Sequence, residues 1–184
     1  MIAPSIEATT LEEYHEKLYK LQSIAHKPEY MLVHDEIKTR LADCNSYTEF
    51  GVNQGTTLAT ALLQNPDIVR AYDINLHRYV KVSSLFDQYA KGHNIDYSIT
   101  ECNTLECSIE PVDLLYIDTL HYHDHLVKEL ALHGNKAKKY IIFHDTFAQK
   151  GLKQAVQEFV QQNSEWSIVT DCQINVGFMT IRRS

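Results

Sequence analysis

The chain has 184 residues, 44% of them apolar and 22% charged, which is ordinary for a globular protein of one domain. A net charge of -7 argues against a nucleic-acid surface, because neutralising phosphates needs clustered Lys and Arg. No apolar run is long enough to span a bilayer, and residues 1–16 are polar and acidic, unlike a secretory leader.

The four cysteines, Cys44, Cys102, Cys107 and Cys172, show neither metal-type pairing nor a disulfide framework, so a reducing cytoplasmic setting is expected. Along the chain, Thr10-Leu11-Glu12-Glu13 reads as a capping box, and Leu11, Tyr14, Leu18, Leu21 and Ile24 follow at helical spacing. Pro28 suits the first turn of a second helix, with Tyr30, Val33, Ile37 and Leu41 as candidates for burial. This N-terminal segment, residues 1–45, is expected to pack on a sheet edge or roof a ligand site. Residues 46–184 then form the core of a single domain.

That core opens with Tyr47-Thr48-Glu49-Phe50, a β-type run ending beside a carboxylate. Gly51 and Gly55 follow, and Thr56 and Thr57 lead into an apolar helical pattern over 58–63. A strand, a tight turn and a helix start are the usual means by which an α/β protein presents backbone N–H groups to a ligand. Pro66 ends the helix, and the run 68–72 is a second strand closing at Asp73. Asn75 is expected to cap a helix carrying Leu76, Tyr79, Val82, Leu85, Phe86 and Tyr89, with Gly92 beyond its end. The run 97–100 is a short third strand and 112–117 a fourth, closing at Asp118. A helix over about 123–133 closes at Gly134, and a fifth strand over 139–143 closes at His144-Asp145. An amphipathic helix over 152–160 and two closing strands, 166–169 and 177–181, complete the chain, the last two as an antiparallel hairpin. Strands alternating with helices predict an open, mostly parallel sheet with helices on both faces.

Four strands therefore end in polar or acidic residues: Glu49, Asp73, Asp118 and the His144-Asp145 pair. The carboxyl ends of an open parallel sheet form its ligand crevice. Taken singly, Asp73 or Asp145 reads equally as a helix cap. Together the four point to a site.

Glu49-Phe50-Gly51-Val52-Asn53-Gln54-Gly55, the acid at Asp73 and the run 112–118 together resemble the class I S-adenosylmethionine-dependent methyltransferases. Ile117-Asp118-Thr119-Leu120-His121, followed later by Phe143-His144-Asp145-Thr146, resembles the cephalosporin-hydroxylase-type and macrocin-type subgroup and is similar to the catechol-type O-methyltransferases. The resemblance covers about 47–181. It implies a Rossmann-like, doubly wound sheet of seven strands in the order 3-2-1-4-5-7-6, with an antiparallel C-terminal hairpin strand behind two N-terminal helices. It also implies S-adenosyl-L-methionine as cofactor. Gly51, Asn53, Gly55 and Thr56 would bring the backbone against its methionine end, where Glu49 would orient the loop and favour the cationic sulfonium and amino group. Asp73 would take the ribose diol, Asn103 the adenine, and Asp118 would complete the cofactor set. The middle glycine of the fuller family pattern is Asn53 here, a departure shared with the catechol-type enzymes.

In the metal-dependent relatives an acid after the fourth strand and an acidic pair after the fifth hold Mg²⁺ or another divalent metal. The matching positions are Asp118, Asp145 and His144, or Thr146 in the other register. His121 stands where the catechol-type enzymes place a basic residue, which makes it the candidate general base beside Asp118. The expected acceptor is a small hydroxylated molecule, its pocket completed by a small substrate segment or by the second subunit of a homodimer. The Asp/Asn-Pro-Pro-aromatic motif of DNA amino-methylating enzymes is absent.

Two other readings stay open. His121-Tyr122-His123-Asp124-His125 approaches the H-x-H-x-D-H signature of metallo-β-lactamase-like hydrolases, one residue short before the acid, so a metallohydrolase also using His144 is one. A nucleotide-cofactor-binding protein without catalysis is the other.

Overall fold

The structure, a computed structural model, describes residues 6–184. Thr10 caps α1 (Leu11–His26), its hydroxyl accepting from the Glu13 amide at 3.2 Å. The Glu13 carboxylate reaches one residue further back than a capping box requires, accepting from the amide and hydroxyl of Thr9 at 2.8 and 3.0 Å. Leu11, Tyr14 and Leu18 are buried, but Leu21 and Ile24 stay 43% and 74% exposed. Helical spacing names the stripe; it does not say how far the partner surface extends. Pro28–Met31 form a 3-10 turn, and α2 (Leu32–Leu41) buries Val33, Ile37 and Leu41. Tyr30 lies before that helix, half-buried.

The strands are β1 (Ser46–Phe50), β2 (Ile68–Asp73), β3 (Asp96–Glu101), β4 (Val112–Ile117), β5 (Ala137–His144), β6 (Trp166–Cys172) and β7 (Phe178–Arg183). They form one seven-stranded sheet in the order β3-β2-β1-β4-β5-β7-β6. The first five pair in parallel, and β7 runs antiparallel to both β5 and β6. The crossover helices are α3 (Thr56–Leu62), α4 (Ser83–Gly92), α5 (His123–His133) and α6 (Lys150–Gln162). Alternation along the strands sends side chains into two cores. Tyr47, Leu114, Tyr116 and Ile142 join the core beneath α1 to α4, while Phe50, Leu115, Ile117 and Phe143 join the one beneath α5 and α6. All five residues of β1 are buried, as a central parallel strand covered on both faces must be.

The segment after β2 departs from its expected form. The Asn75 side chain accepts from the His77 amide at 3.0 Å, closing a turn of its own instead of capping a helix. A 3-10 turn, Tyr79–Lys81, follows, and α4 begins only at Ser83, with Gly92 as its last residue.

The placement that matters for function is between β1 and β4. The chain leaves β1 toward β2 on one side and leaves β4 toward β5 on the other, so the loops after these adjacent strands part and leave a crevice. Among the described residues, no helix is long and apolar enough to cross a membrane.

Candidate functional site

The loop after β1 is shaped by its backbone. Gly51 has φ +87°, and a Cβ there would lie 1.9 Å from the Asp118 carbonyl oxygen, so only glycine lets the ends of β1 and β4 pass. Asn53 has φ +51°, a conformation that asparagine tolerates better than most residues, which accounts for its standing where the family pattern has glycine. Asp73 fastens the loop, with Oδ2 accepting from the amides of Val52 and Asn53 at 2.7 and 2.9 Å and Oδ1 from the Asn75 amide at 2.9 Å. From the other side the Tyr14 hydroxyl of α1 donates to the Gln54 carbonyl at 2.7 Å.

Glu49 lies beneath this loop with no exposed surface. It accepts from the hydroxyls of Tyr47 and Thr57 at 2.6 and 2.8 Å, which ties β1 to the start of α3. Burial pushes its carboxyl up to about 8, against the pull of those two hydrogen bonds, so at pH 7 it is mostly a neutral acid. Strand alternation turns it into the interior, and it does not line the cavity above.

That cavity is a trough of two lobes along the strand ends. The first, about 310 Å³, is walled by His34, Thr56, Tyr116, His121, His144 and Asp145 among others. The second, about 360 Å³, is more apolar and includes Ile74, Asn103, Leu105 and Leu120. Gly51, Asp73, Asp118 and Thr119 belong to both and mark where the lobes meet. Ile74 and Leu120 are 71% and 55% exposed, a large apolar surface to leave in water beside a polar junction. Asn103 stands in the wall of the second lobe, but its side chain is engaged locally, accepting from the Leu105 amide at 3.1 Å and donating to Glu106 at 3.0 Å. Thr56 is buried and lines the first lobe.

At the floor of the first lobe, Asp118, His121 and Asp145 bring one ligand-type atom each within 4.8 Å of one another. His121 Nε2 lies 3.3 Å from Asp118 Oδ1 and 2.9 Å from Asp145 Oδ2. Asp145 reaches this position through a backbone φ of +59°, the kind of strained conformation that persists where surrounding structure enforces it. His144 is buried behind the group, its Nδ1 3.4 Å from Asp118 and 3.5 Å from Asp145, charge contacts rather than aligned hydrogen bonds. The acids' hydrogen bonds to His121 lift that residue to about 10. Burial disfavours the charged form of His144, yet the two carboxylates outweigh it and lift His144 to about 10 as well. Asp118 responds in the opposite sense: burial opposes its ionisation, but the two histidines hold its carboxyl well below the usual carboxylate range. Both imidazoles therefore carry protons at neutral pH in this arrangement. The converging third donor is His121, with His144 set behind it.

The remaining histidines of the cluster turn elsewhere. His123 pairs with Asp124 at 2.8 Å and Glu158 at 2.9 Å, and His125 lies 3.2 Å from Glu129. His121, His123 and His125 thus do not converge on one point. Glu129 itself is a functional-region residue that pattern reading missed. It is fully buried on α5, accepting from Thr104 at 2.5 Å and from Thr119 at 2.9 Å, and so binds together the loops after β3 and β4 that wall the second lobe. Its signal was a carboxylate three places after Leu126, on the apolar stripe of an amphipathic helix.

No family model and no curated protein matches the chain. Solved structures do. One, from Staphylococcus aureus and assigned as a caffeoyl-CoA O-methyltransferase, is 15% identical with a TM-score of 0.64, over 93% of this chain and 99% of that one. The chain has the Rossmann-like methyltransferase fold. An O-methyltransferase from Bacillus cereus in complex with SAH shares this fold at 12% identity and a TM-score of 0.62, over 100% of this chain and 94% of that one. So does a 1,6-didemethyltoxoflavin-N1-methyltransferase from Burkholderia thailandensis with bound 1,6-didemethyltoxoflavin and S-adenosylhomocysteine, at 14% identity and a TM-score of 0.62, over 98% of this chain and 93% of that one. In this methyltransferase fold the β1/β4 crevice described above is the topological switch point, where the general rule for open α/β sheets places the ligand.

Proposed function

We propose that the chain is an S-adenosylmethionine-dependent methyltransferase acting on a hydroxyl group of a small molecule. The observation that supports this most is the two-lobed trough, whose lobes meet at Gly51, Asp73 and Asp118 on the switch point of the sheet. The apolar second lobe suits adenine, with Ile74 and Leu120 flanking the base. Asp73 sits at the junction, where the ribose would lie. Its oxygens already take three amides, and each carboxylate has about four lone-pair sites, which leaves little but sufficient capacity for a ribose hydroxyl. The methionine end would lie over Gly51 in the first lobe, and the room beside it fits a small acceptor.

Methyl transfer from a sulfonium is an in-line displacement with the leaving group supplied by the cofactor. The chain's part is to align the nucleophile and keep water out. Asp118, Asp145 and His121 have the donor chemistry for a divalent cation, two hard carboxylates with one imidazole. Such an ion, when bound, lowers the pKa of a coordinated hydroxyl and orients it. Without one, His121 holds a proton between Asp118 and Asp145 and acts as a hydrogen-bond donor toward an acceptor oxygen, not yet as the base.

Thermal shift with S-adenosylhomocysteine tests the reading. A ligand at about 100 times its Kd stabilises the fold by about 2.7 kcal/mol, which for a chain of this size is a rise of roughly 5–10 °C. An unchanged melting temperature at millimolar ligand contradicts the proposal. A rise with no turnover on any hydroxylated acceptor would favour a binding protein instead.

A further inference from the structure

The first lobe holds a third histidine with a different environment. His34 of α2 lines the cavity yet is only 1% exposed. Its Nδ1 lies 2.6 Å from the Thr60 hydroxyl oxygen, and His15 Nε2 lies 2.7 Å from the same atom. Thr60 in turn donates to the Thr56 carbonyl at 3.1 Å. A threonine hydroxyl has one proton and two lone pairs. The arrangement that satisfies all three contacts is therefore unique: Thr60 gives its proton to Thr56, and both imidazoles donate N–H to Thr60. This fixes the tautomer of His34 with the proton on Nδ1 and leaves Nε2 as a bare acceptor, for which no partner is found among the described residues. Burial holds both rings neutral, pushing His15 down to about 4 and His34 down to about 3.

His34 thus brings an acceptor nitrogen to the lobe that Asp118, His121 and Asp145 also line. We propose that His34 is a specificity-determining residue whose Nε2 accepts a hydrogen bond from a hydroxyl of the methyl acceptor, selecting molecules that carry that donor. A hydroxylated molecule then meets an acceptor at His34 within the lobe that His121 also lines. An analogue with the hydroxyl capped leaves a buried nitrogen unsatisfied, the situation in which a polar site discriminates most strongly. This inference rests on the methyltransferase reading of the trough.

The test uses the full chain saturated with S-adenosylhomocysteine, with catechol as the hydroxylated probe and 1,2-dimethoxybenzene as its capped counterpart. Nitrogen-15 NMR of the imidazoles, with the His34 signals identified by their loss in His34→Gln, reads the tautomer directly. At pH 7, Nε2 should resonate as an unprotonated nitrogen, move toward the protonated side on adding catechol, and stay put with 1,2-dimethoxybenzene. In calorimetry, His34→Asn keeps a group able to bond Thr60 but removes the acceptor, and should weaken catechol about tenfold. His34→Gln places an amide oxygen near the lost Nε2 and should recover most of that loss, a pattern that a packing role does not produce. A proton on Nε2 at pH 7, or equal response to the two probes, or none to either, overturns the inference. Failure to bind S-adenosylhomocysteine at all would instead overturn the methyltransferase reading on which it stands.

Discussion

Glu49→Gln is the substitution that probes the floor of the site most sharply. Glu49 has no exposed surface, and burial raises its carboxyl to about 8 from an ordinary value of 4.5. Between those values the folded chain holds a proton that the unfolded chain has released. The folded state therefore binds more protons, and stability must fall as pH rises through this window. One retained proton is worth about 1.36 kcal/mol for each pH unit, hence roughly 3 kcal/mol between pH 5 and pH 7. Glutamine has the same shape, can accept from one hydroxyl and donate to the other, and does not titrate. Urea unfolding of parent and variant from pH 5 to pH 8 reads the difference. His121 and His144, whose raised values remove stability as pH climbs from about 6.5 toward 10, contribute to both proteins and largely cancel. The variant should gain on the parent with rising pH, ending about 3 kcal/mol better placed at pH 7 than at pH 5. Parallel curves would show that Glu49 is ionised in the fold, and the picture of a neutral acid beneath the loop would be wrong.

Gly51→Ala should cost at least about 3 kcal/mol, read as a drop of roughly 6–12 °C in melting temperature, because its Cβ collides with the Asp118 carbonyl at 1.9 Å in a left-handed backbone. Asp73→Ala should abolish the stabilisation by S-adenosylhomocysteine, since the amides of Val52 and Asn53 lose their anchor, whereas His121→Ala should keep that stabilisation and remove turnover. Mn²⁺ titration followed by melting temperature should raise the parent by several degrees and Asp145→Asn by little; equal responses would exclude the acid cluster as a cation site.

Much of the fold was legible because four of the strands are written twice, once in apolar runs and once in the polar residues that close them. Asp73, Asp118 and Asp145 could be placed at one edge from that pattern alone, and the structure puts them along one trough. What was not legible depends on contacts distant in sequence. Glu49 follows the same rule as the other acids, but alternation within β1 turns it down onto Tyr47 and Thr57. Leu21 and Ile24 keep helical spacing yet stay 43% and 74% exposed among the described residues. Asn75 looks like a cap and instead closes its own turn with His77. His34 occupies a core position of α2 beside Ile37, and only the approach of Thr60 from α3 reveals why a histidine is there.

The most direct measurement is a crystal structure of the chain soaked with S-adenosylhomocysteine. The adenine should lie between Ile74 and Leu120, the ribose at Asp73, and the sulfur over Gly51 facing Asp118 and His121. A trough left empty at saturating ligand, or a nucleoside bound anywhere else on the sheet, would contradict the account.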